Sequence, residues 1–158
     1  MSGAAGDTPR DTPPAPVSEL RTRRRIEFAD TDLAGLVHFA RFFVFMETAE
    51  HELLRSLGHE VHRRWQGHRI GWPRVAATCD YLSPARFPEV LDIRVRVARK
   101  GTTSMTYRFD FEHEGRRVAV GTLTAVCCRL DGADPPRAIP IPADIADRLA
   151  ESDLEDAQ

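Results

Sequence analysis

The segment that joins the first predicted strand to the one long predicted helix reads Arg25-Ile-Glu-Phe-Ala-Asp30-Thr-Asp32-Leu-Ala-Gly35-Leu-Val-His38-Phe39. Residues mainly alternate between two faces from position 21 to position 28, which is typical of a strand. Asp30, Asp32 and Gly35 then predict a turn over residues 29–37, because aspartate and glycine both favour turn conformations. The segment therefore fixes the order strand, turn, helix.

Apolar residues recur at three- and four-residue intervals beyond this turn, which predicts a helix over residues 39–57. They are Phe39, Phe42, Phe43, Met46, Ala49, Leu53, Leu54 and Leu57. Phe45 widens the apolar stripe, so we expect the helix to be enclosed on more than one side. Gly58 supplies the expected C-terminal stop.

Four later segments carry alternating or β-branched residues and predict strands. They are Arg74–Leu82, Val90–Ala98, Ser104–Glu112 and Arg117–Leu130. A turn at Glu114-Gly115 predicts a hairpin between the last two. One strand, one long helix and four consecutive strands indicate an α+β fold, in which an antiparallel sheet wraps around one long central helix.

The chain has 158 residues, which is about the size of one ordinary domain. Residues 1–20 are rich in proline and small residues and predict a disordered N-terminal arm. Residues 21–150 form the predicted domain, with a short helix from Ala143 to Ala150. Residues 151–158 predict a flexible acidic tail.

Composition excludes several classes of partner. The formal charge of −2 gives no overall positive field that would hold a nucleic acid. No apolar run approaches the roughly 20 residues that span a bilayer, and the N-terminus lacks the apolar core of a signal peptide. We therefore expect a cytoplasmic protein that binds neither nucleic acid nor membrane.

Neither cysteine nor histidine spacing predicts a metal site. Cys79, Cys127 and Cys128 are an odd set without metal-type spacing, and we expect reduced core thiols. His59-x-x-His62 has no third ligand nearby and is typical of a polar loop. No loop of the kind that holds a nucleotide cofactor is present either, so we expect no cofactor.

The Asp30-x-Asp32-x-x-Gly turn has more than one interpretation. It copies the opening of a calcium-binding EF-hand loop, but Arg41 stands where that loop needs its bidentate glutamate. A purely structural turn would use both carboxylates to accept nearby backbone N–H groups. However, His38 stands where a Ser, Thr, Asp or Asn would cap the predicted helix. The first N–H groups of that helix therefore lack the usual side-chain acceptor. Such donors suit a carbonyl oxygen that gains negative charge, which indicates hydrolysis of an activated acyl group.

These residues resemble a known family. The run from Arg25 to Phe39, followed by Phe45-Met46-Glu47 and the ending at Gly58, is similar to the 4-hydroxybenzoyl-CoA thioesterase family, including the Tol-Pal-associated acyl-CoA thioesterases. The resemblance covers roughly residues 21–145. It implies the hotdog fold and the activity of an acyl-CoA thioesterase.

The resemblance also implies roles for individual residues. Asp32 matches the catalytic aspartate, acting as nucleophile or general base, and Asp30 is then a supporting residue. The backbone N–H that polarises the carbonyl maps to Phe39. Many relatives carry an aromatic residue followed by His or Tyr where this chain has His38-Phe39, so no histidine role transfers to Phe39. His38 either contacts substrate or bonds a neighbour, and for Glu47 we prefer a buried or interfacial ion pair over catalysis.

Substrate contacts are implied at three further places. Arg99, Lys100 and Ser104 lie at a predicted strand turn where hotdog relatives contact the nucleotide of CoA, although a solvated turn is the alternative. Arg63 and Arg64 form a second basic pair with weaker support. Trp72 is a candidate for bounding the acyl pocket or for the core.

The predicted activity is hydrolysis of an acyl-CoA to a carboxylic acid and CoA by a homodimer or homotetramer. An acyl-carrier-protein thioester is a second possible substrate. A non-catalytic module that binds acyl-CoA or acyl carrier protein is the alternative, followed by a hotdog hydratase or dehydratase. The sequence leaves open the acyl group, the thiol carrier, the two catalytic routes and the choice between dimer and tetramer.

Overall fold

The computed structural model describes residues 13–132 and 134–154. Its elements in chain order are β1 Glu19–Arg25, a 3-10 helix Phe28–Asp30, α1 Arg41–Ser56, β2 Arg63–Trp65, β3 His68–Gly71, β4 Arg74–Tyr81, β5 Val90–Lys100, β6 Ser104–His113, β7 Arg116–Val126, β8 Cys128–Arg129, β9 Arg137–Ala138 and α2 Ala143–Ala146.

Five strands form an antiparallel sheet in the order β1-β5-β6-β7-β4. Burial alternates along its central strands, so that one face is apolar and the other carries charged residues. Strand β4 is an edge of this sheet and pairs only with β7 among the described residues. The prediction of an α+β fold with an antiparallel sheet and one long helix is confirmed.

Helix α1 packs against the apolar face of the sheet. Phe45, Met46 and Leu53 are fully buried on its inner side. Gly121 on β7 permits the close approach, since a Cβ built there would lie 2.3 Å from the sulfur of Met46. The absence of a side chain at this position therefore sets how closely the helix packs against the sheet.

Two predicted elements differ in their bounds. The helix begins at Arg41 and not at residue 39, because residues 38–40 form a turn in which the Arg41 N–H donates to the His38 carbonyl at 2.8 Å. The last predicted strand is interrupted between β7 and β8. There the N–H of Cys127 leaves the ladder and donates to the carbonyl of Thr103 at 2.7 Å.

A second, four-stranded sheet in the order β2-β3-β8-β9 was not predicted. Its strands have two to four residues each, which is too short for an alternation to be recognised. Helix α2 is also shorter than predicted and ends at Ala146.

The predicted arm and tail lie partly outside the described residues, which exclude 1–12 and 155–158. Within the described part, β1 begins two residues before the predicted start of the domain. Val17 forms a bridge with Leu149, and its N–H donates to the Arg148 carbonyl at 2.8 Å. Residues just before β1 are thus joined to the C-terminal segment.

No helix in the described ranges is long and apolar enough to cross a membrane. Cys127 and Cys128 are buried free thiols, and Cys79 is half-buried on the edge strand β4. Burial raises the pKa of the Cys127 thiol to about 11, so this group is protonated at neutral pH.

Candidate active site

Asp30 is the buried anchor of the loop between β1 and α1. Its side chain is 1% exposed, and its Oδ1 accepts from Nε of Arg41 at 2.8 Å and from Nη2 at 2.5 Å. Its Oδ2 accepts from the backbone N–H of Glu27 at 2.9 Å and lies 3.8 Å from Nη2 of Arg24. One carboxylate therefore joins the end of β1, the 3-10 helix and the first turn of α1.

Asp32 lies two residues further along and is exposed. Its Oδ1 accepts from the backbone N–H of Ala34 at 2.8 Å and of Leu36 at 3.3 Å. Gly35 adopts a φ of +72°, which closes this turn with a conformation that favours glycine. Among the described residues no ion pair or hydrogen bond engages Oδ2. One carboxylate oxygen is therefore held by the turn while the other is unoccupied.

A short antiparallel bridge holds this loop against the start of α1. The N–H of Asp32 donates to the Leu36 carbonyl and the N–H of His38 to the Asp30 carbonyl, both at 2.8 Å. Thr31 and Val37 form a bridge between these two bonds. The backbone around Asp32 is thus fixed relative to the residues that begin the helix.

No side chain caps α1 at its N-cap residue, Ala40. Instead the N–H of Ala40 donates to Nδ1 of His38 at 3.2 Å, which requires that nitrogen to be unprotonated. The His38 ring also stacks on Phe39, with ring centroids 4.5 Å apart. His38 therefore bonds its neighbours, which is one of the two roles expected from the sequence.

The N–H groups of Phe39 and Phe42 have no acceptor in the part of the chain that the structure describes. The Phe39 carbonyl does have a partner, since the hydroxyl of Tyr81 donates to it at 2.9 Å. Burial raises the pKa of Tyr81, which favours the protonated, donating form. The helix start thus offers two free donors next to a backbone carbonyl held by β4.

Large apolar side chains are exposed around this site. They are Phe28, Leu33, Phe39, Val44, Val75, Tyr81, Leu82 and Phe87. They belong to the 3-10 helix, the Asp32 loop, the start of α1, the edge strand β4 and the connection that follows it. An exposed apolar surface of this kind is typical of an interface or a ligand site.

Two glutamates of α1 contact Arg74 at the start of β4. Glu50 is 1% exposed, and its Oε2 accepts from Nη2 of Arg74 at 2.5 Å. Glu47 is half-exposed, and its Oε1 lies 3.7 Å from the same nitrogen. Burial raises the pKa of Glu50 from its ordinary value of 4.5 to about 7, although Arg74 opposes the shift. Glu47 therefore has an ion-pair partner but is exposed within this chain, and Glu50 is the buried member of the cluster.

Apart from His38, the residues predicted to bind substrate have no contact with the Asp32 loop among the described hydrogen bonds and ion pairs. Nζ of Lys100 donates to the carbonyls of Ala146 at 2.9 Å and Leu149 at 2.8 Å, so its ammonium group holds the C-terminal segment. Arg99 is exposed, and Trp72 is buried in the core. No described hydrogen bond or ion pair joins them, or Ser104, to the Asp32 loop. Their proposed roles in binding stay predictions.

Arg63 on β2 and His59 before it form structural contacts with Asp144. Arg63 forms a two-point ion pair with Asp144, at 2.7 and 2.8 Å, and Nε2 of His59 lies 3.1 Å from the Asp144 carbonyl. The described part of the chain contains no cluster of three or more His, Cys, Asp or Glu side chains that could hold a metal ion.

Sequence reasoning missed Arg41 and Tyr81 at this site. Arg41 had a recognisable signal, because a cation in the first turn of a helix opposes the helix dipole and needs a compensating partner. That partner is Asp30, eleven residues earlier. Tyr81 had none, because its contact with Phe39 joins residues that are 42 positions apart in the chain.

The sequence pattern described as the Thioesterase-like superfamily matches residues 26–149. A 1,4-dihydroxy-2-naphthoyl-CoA hydrolase from Thermosynechococcus vestitus is 28% identical over 118 residues, which cover 74% of this chain and 80% of that protein. The acyl-CoA thioester hydrolase YbgC of Escherichia coli O6:H1 is 29% identical over 83 residues, covering 52% of this chain and 61% of that protein.

A solved structure supports the same relationship. The gentisyl-coenzyme A thioesterase BH1999 is 27% identical and superposes with a TM-score of 0.73, covering 83% of this chain and all of that one. The predicted hotdog fold is thus confirmed.

Replacing Asp30 should lower the free energy of unfolding much more than replacing Asp32. Asp30→Asn should lower the free energy of unfolding by about 1–3 kcal/mol, since it weakens charge-assisted hydrogen bonds at a buried position. Asp32→Asn should change it by less than about 0.5 kcal/mol, because the site is exposed and Asn can still accept in the turn. Urea denaturation of both variants tests this, and equal losses would contradict the different roles.

Glu50 should make stability fall as pH rises. Its pKa is higher in the folded than in the unfolded chain, so its contribution is complete below about pH 4.5 and is lost as pH rises through about 7. Relative to Glu50→Gln, the natural chain should lose on the order of 3 kcal/mol between about pH 4 and pH 8. Denaturation curves of both proteins across this range provide the measurement. A constant difference would show that Glu50 keeps its ordinary pKa.

Proposed function

This chain belongs to the thioesterase-like superfamily, and on that premise we propose that it hydrolyses an acyl-CoA thioester to a carboxylic acid and free CoA. Besides membership of the superfamily, one observation supports the proposal. Asp30 is committed to Arg41 and the backbone, whereas Asp32 keeps one carboxylate oxygen unoccupied on a loop fixed against the helix start. The chain thus separates a structural aspartate from one that is available for chemistry.

Asp32 delivers the attack by one of two routes. As a nucleophile, its carboxylate adds to the thioester carbonyl carbon and the C–S bond breaks, so that CoA leaves as a thiolate. Water then hydrolyses the acyl-aspartate anhydride and returns the carboxylate. As a general base, Asp32 instead takes a proton from the water that attacks the carbonyl. The products are the same in both routes.

The backbone N–H of Phe39 stabilises the oxyanion in either route. It is unpaired at the positive end of α1, and in related chemistry one such donor contributes about 3 to 4 kcal/mol to the transition state. The bond from Tyr81 to the Phe39 carbonyl supports this orientation of the helix start. His38 is a positioning residue that bonds the adjacent Ala40 N–H.

We assign substrate binding to two parts of the chain. The exposed apolar side chains near Asp32 suit the acyl chain, and exposed Arg99 with Ser104 suits the phosphates of CoA. Lys100 adds positive charge to that turn while its ammonium group holds the C-terminal segment. Trp72 acts on the acyl pocket only through the core, where it is buried. Acyl carrier protein is a second possible thiol carrier, and we place the reaction in the cytoplasm.

We further propose that two copies complete the site. Strand β4 has one edge that no other described strand covers, and Ala76, Ala77 and Thr78 on it are exposed. Unpaired strand edges are normally covered, and Val75 and Tyr81 on this strand belong to the exposed apolar residues named above. A homodimer that joins β4 edges would cover both, and a homotetramer would be built from such dimers.

Asp32→Asn should abolish most of the activity without unfolding the chain. Loss of the nucleophile or base should lower kcat about 100-fold or more for the best substrate of an acyl-CoA panel, measured by the release of free thiol. Asp147→Asn is the matched control, since Asp147 is also exposed and lies on the C-terminal segment. Full activity in Asp32→Asn would contradict the proposed role of this residue.

Two results with the same acyl-CoA panel would overturn the proposed reaction itself. Binding of acyl-CoA without release of thiol from any substrate would indicate the non-catalytic module. Addition of water to an enoyl-CoA without thiol release would indicate a hydratase.

The dimer is tested by placing a charge on the open edge. Ala77→Glu would bring two carboxylates together across a two-fold axis, so the mass in solution should fall to that of one chain and thiol release should fall with it. Light scattering after size-exclusion chromatography gives the mass. Ala138→Glu, on the exposed strand β9, should change neither mass nor activity. A monomeric natural chain with full activity would contradict the shared site.

A further inference from the structure

The face of the main sheet opposite α1 contains a groove of about 530 Å³. Residues with outward side chains form it, because Asp92, Arg94 and Arg96 alternate along β5 with side chains that are buried in the core. Its volume lies within the range of sites that hold small molecules. None of the residues assigned to thioester hydrolysis lines this groove.

The groove is cationic although the chain as a whole is anionic. Its lining includes six arginines, which are Arg21, Arg23, Arg94, Arg96, Arg108 and Arg117. Only three carboxylates, those of Asp92, Asp110 and Glu112, line it with them. The lining therefore carries a net charge of about +3, or about +2 when Glu19, which accepts from Nε of Arg94 at 2.8 Å, is counted with it. The whole chain carries −2.

The carboxylates orient some of these arginines and leave others available. Arg23 donates to Asp92 at 3.0 Å, and Arg96 donates to Asp110 at 2.7 Å. Arg117 has no side-chain hydrogen bond or ion pair among the described residues, and the nearest carboxylate to Arg21 is that of Glu19 at 3.9 Å. The groove therefore keeps donors that an anion could use.

Arg96 adds a buried cation beneath the groove. It is 5% exposed, and its Nε has no hydrogen-bond partner in the described structure. A buried N–H donor without an acceptor is costly, and it adds to the positive potential beneath the groove. The planar guanidinium group is also the side chain best suited to two-point contacts with phosphate.

A second copy of this chain is the less suitable occupant. Two identical grooves placed face to face would oppose two surfaces of the same net charge. A ligand with two phosphate groups carries a negative charge comparable to the positive charge of the lining. We propose that this groove binds a small diphosphate-bearing anion at a site separate from the thioester site.

Titration calorimetry of the full chain with inorganic pyrophosphate and, separately, with ADP tests the site. The double variant Arg21→Ser/Arg117→Ser should bind pyrophosphate about tenfold more weakly or worse, because it loses two charge-assisted contacts. Both residues are exposed, so the fold should be retained. If ADP binds more tightly than pyrophosphate, the site recognises nucleotides. If the two bind equally, the site recognises the phosphates alone. Either result supports the proposal.

Arg69→Ser/Arg137→Ser is the matched control, since it removes the same charge from exposed positions on β3 and β9. Its affinity for pyrophosphate should stay within about twofold of the natural chain. Equal weakening of pyrophosphate binding in both double variants would overturn the proposal and indicate general electrostatic attraction. Absence of pyrophosphate binding by the natural chain would also overturn it. A KM for acyl-CoA that rises in step with the loss of pyrophosphate binding would make the groove part of the substrate site and overturn its separateness. The calorimetric result does not depend on whether the chain hydrolyses thioesters.

Discussion

The buried carboxylate of Asp30 is the constraint on which the candidate site depends. It accepts from the Arg41 side chain and from the Glu27 backbone, and it thereby fixes the first turn of α1 to the segment that leaves β1. A cation at the start of a helix is normally unfavourable, and this ion pair makes Arg41 acceptable there. Because Asp30 supplies the structural contacts, Asp32 needs only one oxygen to hold its turn. The division of labour between two aspartates follows from burial and not from their chemistry.

The uncapped beginning of α1 complements this arrangement. His38 accepts the Ala40 N–H through Nδ1, and the Phe39 and Phe42 N–H groups remain without protein acceptors in the described structure. An ordinary capping side chain would occupy such donors. Tyr81 joins the edge strand β4 to the same end of the helix through the Phe39 carbonyl. The site that we propose between two copies would cover an edge that the described residues leave open.

The long elements with a periodic apolar pattern could be predicted from sequence. The short strands and the turn before the helix could not. The helix and the main strands were predicted because their apolar residues recur over many positions. The helix start was placed two residues early because the turn at His38 has no apolar signal, and β2 and β3 are too short to show one. Asp30 and Asp32 look alike in sequence, and only the resemblance to a family separated them. The contacts of Lys100 depend on a segment nearly fifty residues away, which no local pattern reveals.

The most direct measurement of the central claim is a crystal structure with an acyl-CoA analogue in which an amide replaces the thioester. The account predicts that the acyl carbonyl oxygen lies about 3 Å from the N–H of Phe39 and that the carbonyl carbon lies roughly 3 to 3.5 Å from Asp32 or from a water bonded to it. An analogue whose carbonyl binds away from the helix start, with Asp32 still facing solvent, would contradict the account.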